Sequence, residues 1–142
     1  MSSETTLPTL KPHHLGISVP DLDAAITWYG DMLGFKVEKR LNIPPAKAEV
    51  AFLRQGDFSI ELFEVENAAP LPESRRAPNT DLATHGTKHI CFEVKDLRSL
   101  IKELKPKGLD VAMDVFQMED TLAAFVRDNS GVLIELMQIV KG

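Results

Sequence analysis

The sequence has little of several features that would indicate particular classes of protein. Its 142 residues include one cysteine, so no disulfide can form within the chain and a cytoplasmic location is expected. No apolar segment is long enough to cross a bilayer, and Met1–Glu4 lacks the basic and apolar parts of a signal peptide. The net charge is −5, and no basic run exceeds two residues, as at Arg75-Arg76. Nucleic acid and membrane are therefore not expected partners.

The chain does contain an internal repeat. The pattern that begins at His14 returns at His89, 75 positions later, and the pattern around Glu61 returns at Glu135, 74 positions later. A steady offset of this kind indicates a duplicated unit, which dictates the architecture before any other feature is considered. Each unit contributes one histidine and one glutamate at matched positions.

Hydrophobic periodicity predicts the same order of elements, βαβββ, in both units. The predicted strands lie near residues 13–19, 35–42, 47–54 and 58–65 in the first unit, and near 88–94, 111–117, 121–127 and 132–140 in the second. Asp21 and Asp96 are the expected helix N-caps, and Gly34 suits the end of the first helix. We therefore predict a tail at residues 1–11 and a domain at 12–142, made of module 1 (12–66), a linker (67–86) and module 2 (87–140).

Strand alternation predicts where the repeated histidines and glutamates lie. Because residues i and i+2 share one face of a strand, both pairs are expected on the face turned away from the apolar, helix-covered side. Two imidazoles and two carboxylates form a nitrogen and oxygen ligand set that suits a borderline divalent ion. Nickel, cobalt, zinc, manganese and iron all fit such a set, and the residue types do not choose among them.

Several motifs resemble the vicinal oxygen chelate superfamily, which includes glyoxalase I, methylmalonyl-CoA epimerase, extradiol dioxygenases and bleomycin resistance proteins. The motifs are His14-Leu-Gly-Ile-Ser-Val-Pro-Asp-Leu, Leu33-Gly34-Phe35, the segment from His89 to Leu97, and Asp128-Asn-Ser-Gly-Val-Leu-Ile-Glu135-Leu. The resemblance covers about residues 12–140. It implies an α+β fold in which two tandem βαβββ modules form an open eight-stranded cup with the helices outside.

The resemblance also implies a site. One divalent metal would be held by His14, Glu61, His89 and Glu135, either within one chain or across a dimer, and we expect a homodimer that binds a small molecule. A four-ligand set resembles that of glyoxalase-like lyases and isomerases, which transfer a proton on an oxygen-chelating carbonyl or thioester. In that reaction Glu135 is the expected base and Glu61 the expected group that returns the proton.

Three alternative functions remain open at this point. Methylmalonyl-CoA epimerase is one, although no acid stands near Ile43, where such enzymes carry a catalytic glutamate, and Glu49 is the nearest candidate. An extradiol-type dioxygenase would use two histidines and one carboxylate, and a drug-binding or metabolite-binding protein would need no catalytic set. Ser18 and Val65 stand where similar glyoxalases carry the Arg and Asn that hold glutathione. Their presence argues against a substrate that contains glutathione.

Overall fold

The computed structural model describes residues 6–140. The first five residues of the predicted tail and the last two of the predicted domain lie outside this range. Among the helices of the described residues, none is long and apolar enough to span a bilayer.

Each module has the predicted βαβββ order. Module 1 contains β1 (His14–Ser18), α1 (Leu22–Leu33), β2 (Lys36–Ile43), β3 (Ala48–Gln55) and β4 (Phe58–Val65). Module 2 contains β5 (Ile90–Glu93), α3 (Leu97–Leu104), β6 (Asp110–Met118), β7 (Thr121–Arg127) and β8 (Leu133–Ile139). Between them lie a 3-10 turn at Glu73–Arg75 and the short helix α2 (Pro78–Asp81).

The eight strands of residues 6–140 form two four-stranded mixed sheets with equivalent topology. The strand orders are β1-β4-β3-β2 and β5-β8-β7-β6, and in each sheet the first strand runs parallel to its neighbour while the others are antiparallel. The α+β two-module fold predicted from the repeat is thus confirmed.

The two main helices begin in the same way because the repeat preserves their caps. Asp21 Oδ1 accepts from Ala24 N at 3.0 Å, and Asp96 Oδ1 accepts from Ser99 N at 3.1 Å. Each carboxylate satisfies an amide that has no partner within its own helix. Gly34 ends α1 in the left-handed conformation, with φ of 78°.

A second cap reaches each helix from the last strand of its own module. Leu22 N donates to Glu64 Oε1 at 2.7 Å, and Leu97 N donates to Gln138 Oε1 at 2.8 Å. These bonds tie each helix start to its sheet, and the acidic Glu64 also interacts favourably with the positive end of the α1 dipole. The side of each sheet that the helix covers is fixed by this contact.

The helix-covered sides of both sheets are buried in one shared core. Leu53 on β3 and Ile134 on β8 are fully buried, and both belong to a single apolar cluster with residues of α1 and α3. The Phe35 ring of module 1 and the Phe92 ring of module 2 have centroids 5.9 Å apart. The opposite side of each sheet, here called the open face, lies outside this core.

The predicted linker is folded around a buried acid. Asp81 is 1% exposed, and its Oδ1 accepts from Arg75 Nε at 2.9 Å. Lys88 Nζ lies 3.4 Å from the same oxygen, so two cations surround one carboxylate. Burial alone would raise the pKa of Asp81, but the hydrogen bonds and charges of these two cations outweigh it and lower the pKa. The segment before β5 is held in place by this cluster.

Candidate metal centre

The first histidine and glutamate pair lies on the open face of module 1. His14 begins β1, and Glu61 lies on the adjacent, parallel strand β4, opposite Gly16. His14 Nε2 is 3.2 Å from Glu61 Oε1. The glutamate side chain is 17% exposed and the imidazole 37% exposed, so the pair is accessible from the open face.

The second pair occupies the equivalent place in module 2. His89 immediately precedes β5, and Glu135 lies on β8 opposite Cys91. His89 Nε2 is 3.0 Å from Glu135 Oε1, with both side chains less than a quarter exposed. Burial, followed by the neighbouring charge of Glu135, raises the pKa of the Cys91 thiol to about 11, so the thiol stays protonated at neutral pH.

A phenylalanine supports each imidazole from the neighbouring antiparallel strand. Phe52 is directly opposite Glu61, and its ring meets that of His14 edge-on at a centroid distance of 5.8 Å. Phe125 is directly opposite Glu135, and its ring meets His89 edge-on at 4.9 Å. The repeated contact restricts ring rotation and keeps Nε2 of each histidine on its glutamate.

His13 is a neighbour that the repeat pattern did not mark, because it has no counterpart in module 2. Its Nδ1 lies 2.8 Å from Nδ1 of His14, so one imidazole donates and the other accepts. A hydrogen bond at Nδ1 leaves Nε2 of His14 as the nitrogen that faces Glu61. Partners of this kind orient histidines that bind metal ions. The dipeptide His13-His14 was the available sequence signal.

A cavity of about 640 Å³ adjoins the second pair on the open face of module 2. His89 and Glu135 line it together with apolar side chains, among them Met113, Phe116 and Met137. Pro78 and Leu82, from α2 and the residue after it, line it as well. Apolar walls around a few convergent polar groups are typical of small-molecule sites.

The chain brings together the members of each pair but does not bring the two pairs to one place. Within residues 6–140, no three or more His, Cys, Asp and Glu side chains are grouped closely enough to hold a metal ion. Each pair supplies one imidazole nitrogen and one carboxylate oxygen, which is half of a four-ligand set. The donor types fit a borderline divalent ion, and their number fits a site assembled from two halves.

Comparison with known proteins identifies the family. A sequence model of the glyoxalase/bleomycin resistance protein/dioxygenase superfamily matches residues 11–136. The chain belongs to this superfamily. The resemblance predicted from the repeated motifs is therefore confirmed.

Relatives within the superfamily carry two different activities. A probable lactoylglutathione lyase from Synechocystis is 32% identical over 128 residues, which cover 88% of this chain and 92% of that protein. The mitochondrial methylmalonyl-CoA epimerase of mouse is 27% identical over 134 residues, covering 89% of this chain and 71% of that protein. A glyoxalase family protein from Bacillus cereus has the same fold, with a TM-score of 0.76, 22% identity and coverage of 98% and 100%.

Glu49, the alternative acid considered from the sequence, lies on the wrong side of its strand. Phe52 faces the same side as Glu61, so alternation along β3 turns Glu49 to the other face, opposite Glu64. Glu64 itself caps α1 on that side. Glu49 therefore cannot reach the open face, and the position near Ile43 has no acidic substitute from this strand.

Proposed function

We propose that this protein is a divalent-metal-dependent lyase or isomerase that transfers a proton on a small, oxygen-chelating carbonyl or thioester substrate. The observation that carries the proposal is the duplicated pair on the open faces. His14 with Glu61, and His89 with Glu135, each hold an imidazole nitrogen within 3.2 Å of a carboxylate oxygen. Lone buried histidines are common, but matched pairs at repeat positions are the pattern expected of a shared metal site.

We further propose that a second copy of the chain completes the site. If module 1 of one copy packs against module 2 of the other, the two half-sets of ligands meet, and twofold symmetry creates two equal sites. Exposed apolar side chains on both open faces favour such packing: Leu41 on module 1 is 36% exposed, and Met118 and Ile139 on module 2 are 65% and 49% exposed.

The chemistry follows from the carboxylates. A divalent ion bound at this site would supply Lewis acidity and a template for two neighbouring substrate oxygens. We assign Glu135, which lines the cavity, as the base that takes a proton from the carbon beside the substrate carbonyl. Glu61 of the second copy is the pseudo-symmetric group that returns a proton. Met113 and Phe116, which line the same cavity, would limit the access of water to the reacting carbon.

Methylmalonyl-CoA epimerisation is the second candidate, because it uses the same kind of proton transfer and the epimerase of mouse is a relative. With Glu49 on the other face, Glu61 is the carboxylate of module 1 that remains available for the second proton. The presence and identity of the bound metal distinguish both candidates from a ring-cleaving dioxygenase and from a non-enzymatic binding protein.

Metal analysis of purified protein tests the proposal. We expect one divalent ion per chain in the loaded wild type, and a loss of most of it in His14→Ala and in His89→Ala, because each variant removes one of four ligands. His85→Ala, which changes a histidine of the linker, is the matched control and should keep the ion. A wild-type protein that retains no metal after incubation with divalent ions would favour a binding protein. Oxygen-sensitive ferrous iron in the purified protein would favour a dioxygenase.

A further inference from the structure

The duplication places two equivalent rows of side chains across the open faces, and they differ at one position. In module 1 the row runs from Lys39 through Phe52 to Glu61. In module 2 it runs from Met113 through Phe125 to Glu135. The aromatic and the glutamate are retained, but an ammonium in module 1 stands where module 2 has a thioether.

The ammonium of Lys39 contacts the same phenylalanine ring as His14 and, within residues 6–140, has no carboxylate partner. Its Nζ lies 5.2 Å from the centroid of the Phe52 ring, the same ring that meets His14 edge-on. Among residues 6–140, no Asp or Glu forms an ion pair with it. A cation–π contact restrains the long side chain but leaves its three hydrogen-bond donors free.

Module 2 offers no comparable cation on its open face. Arg127 is the residue that corresponds to Arg54, and its guanidinium is already bound to Asp110 Oδ1 at 2.8 Å and to the Arg76 carbonyl at 2.6 Å. The cavity beside Glu135 is instead lined mostly by apolar side chains, together with the carboxylates of Glu119 and Asp120. The assembled site would thus have an apolar side from module 2 and a basic side from module 1.

We propose that Lys39 is a specificity residue that binds a carboxylate of the substrate. The inference rests on the proposed function, and it narrows the substrate to acyl compounds that carry a carboxylate at one end and an apolar part at the other. The chelating oxygens of such a compound would lie between its two ends. A charge-assisted hydrogen bond from the ammonium accounts for the preference for substrates with this carboxylate.

Two hydroxamates test this assignment by binding alone. Butanoyl hydroxamate and the monohydroxamate of succinate share the chelating group and chain length, but only the second has a terminal carboxylate. We expect the cobalt-loaded wild type to bind the succinyl probe about tenfold more tightly in calorimetry, as one hydrogen bond between charged groups implies. Lys39→Met, which installs the residue of module 2, should abolish the preference without changing the affinity for the butanoyl probe.

Matched variants distinguish a direct contact between Lys39 and the carboxylate from a general effect of positive charge. Lys36→Met removes a positive charge from the same strand and face and should keep the preference. Lys39→Arg keeps the charge at position 39 and should retain most of the preference. The assignment would be overturned if Lys36→Met and Lys39→Met lost the preference for the succinyl probe equally, or if Lys39→Met kept it. Equal binding of both probes by the wild type would overturn it as well. Dissociation of the dimer by Lys39→Met would do so too, since Lys39 would then be an interface residue.

Failure of the proposed function has a different signature. If the wild type binds neither hydroxamate, the metal site itself is wrong and this inference is overturned with it. If both probes bind but the carboxylate has no effect, the metal site stands and the role of Lys39 alone is refuted.

Discussion

Tyr29, on α1 of module 1, donates a 2.7 Å hydrogen bond to Oδ2 of Asp128, in the turn between β7 and β8 of module 2. Both side chains are buried, and Oδ1 of the same carboxylate accepts from Ser130 N and Val132 N. The bond joins the two modules through their shared core. It holds the helix-covered sides together, so that the two open faces are left for other contacts.

Tyr29→Phe should destabilise the fold without changing its shape. The substitution leaves a buried carboxylate without one of its donors, and hydrogen bonds to charged groups contribute about 1.5–3 kcal/mol. We expect the free energy of unfolding, measured in urea, to fall by about this amount with an unchanged m-value. A fall below about 0.5 kcal/mol would show that the bond contributes little to holding the modules together.

The same bond predicts a pH dependence at the alkaline end. Burial, and then the charge and hydrogen bond of Asp128, raise the pKa of Tyr29 above its ordinary value of about 10. Since the folded pKa is higher than the unfolded one, the contribution is complete below about pH 10 and is lost as the pH rises further. The difference in unfolding free energy between wild type and Tyr29→Phe should therefore shrink above about pH 10. A constant difference would contradict the assignment.

Glu135→Gln should retain part of the bound metal and lose proton transfer. An amide can remain near His89 but cannot accept a proton, and removing a general base costs about 10²–10⁴-fold in rate. Deuterium wash-in from solvent, with a panel of 2-oxo thioesters, hemithioacetals and 2-hydroxy ketones, measures the step directly. Glu93→Gln, on the same face but outside the pair, is the control that should keep wash-in. Unchanged wash-in in Glu135→Gln would transfer the role of base to Glu61.

The glutathione hemithioacetal of methylglyoxal should be a poor substrate. Ser18 ends β1 and Val65 ends β4, and neither side chain offers the charge-assisted contact that an Arg gives a carboxylate. We expect turnover far below the usual enzymatic value of about ten per second. Turnover in that normal range, in a standard lactoylglutathione assay, would refute this prediction and identify the reaction.

The fold could be predicted from the sequence because the helix caps and the strand alternation occur at equivalent positions in both repeats. Asp21 and Asp96 cap helices at positions 75 apart, and the alternation around Glu61 and Glu135 assigns both to the open face. The caps provided by Glu64 and Gln138 were missed, since they join residues about 40 positions apart and leave no local pattern. The 3-10 turn at Glu73–Arg75 and α2 were missed because three or four residues are too few to show a period.

The sequence predicted one metal held by four ligands. The structure shows the pairing of His14 with Glu61 and of His89 with Glu135, whereas the meeting of the two pairs at one metal stays a prediction. How the modules pack against each other depends on contacts such as Tyr29 with Asp128, which no periodicity encodes. Whether four ligands meet is therefore decided by packing and assembly rather than by local sequence.

Complementation between two defective chains tests directly whether the metal site is shared between copies. His14→Ala and His89→Ala, co-expressed with different affinity tags and purified as the mixed dimer, should bind one metal ion per dimer. In that dimer one site combines both substitutions and the other combines two intact half-sets, whereas each homodimer should bind almost none. A mixed dimer that binds no more metal than the two homodimers would contradict a site shared between copies of the chain.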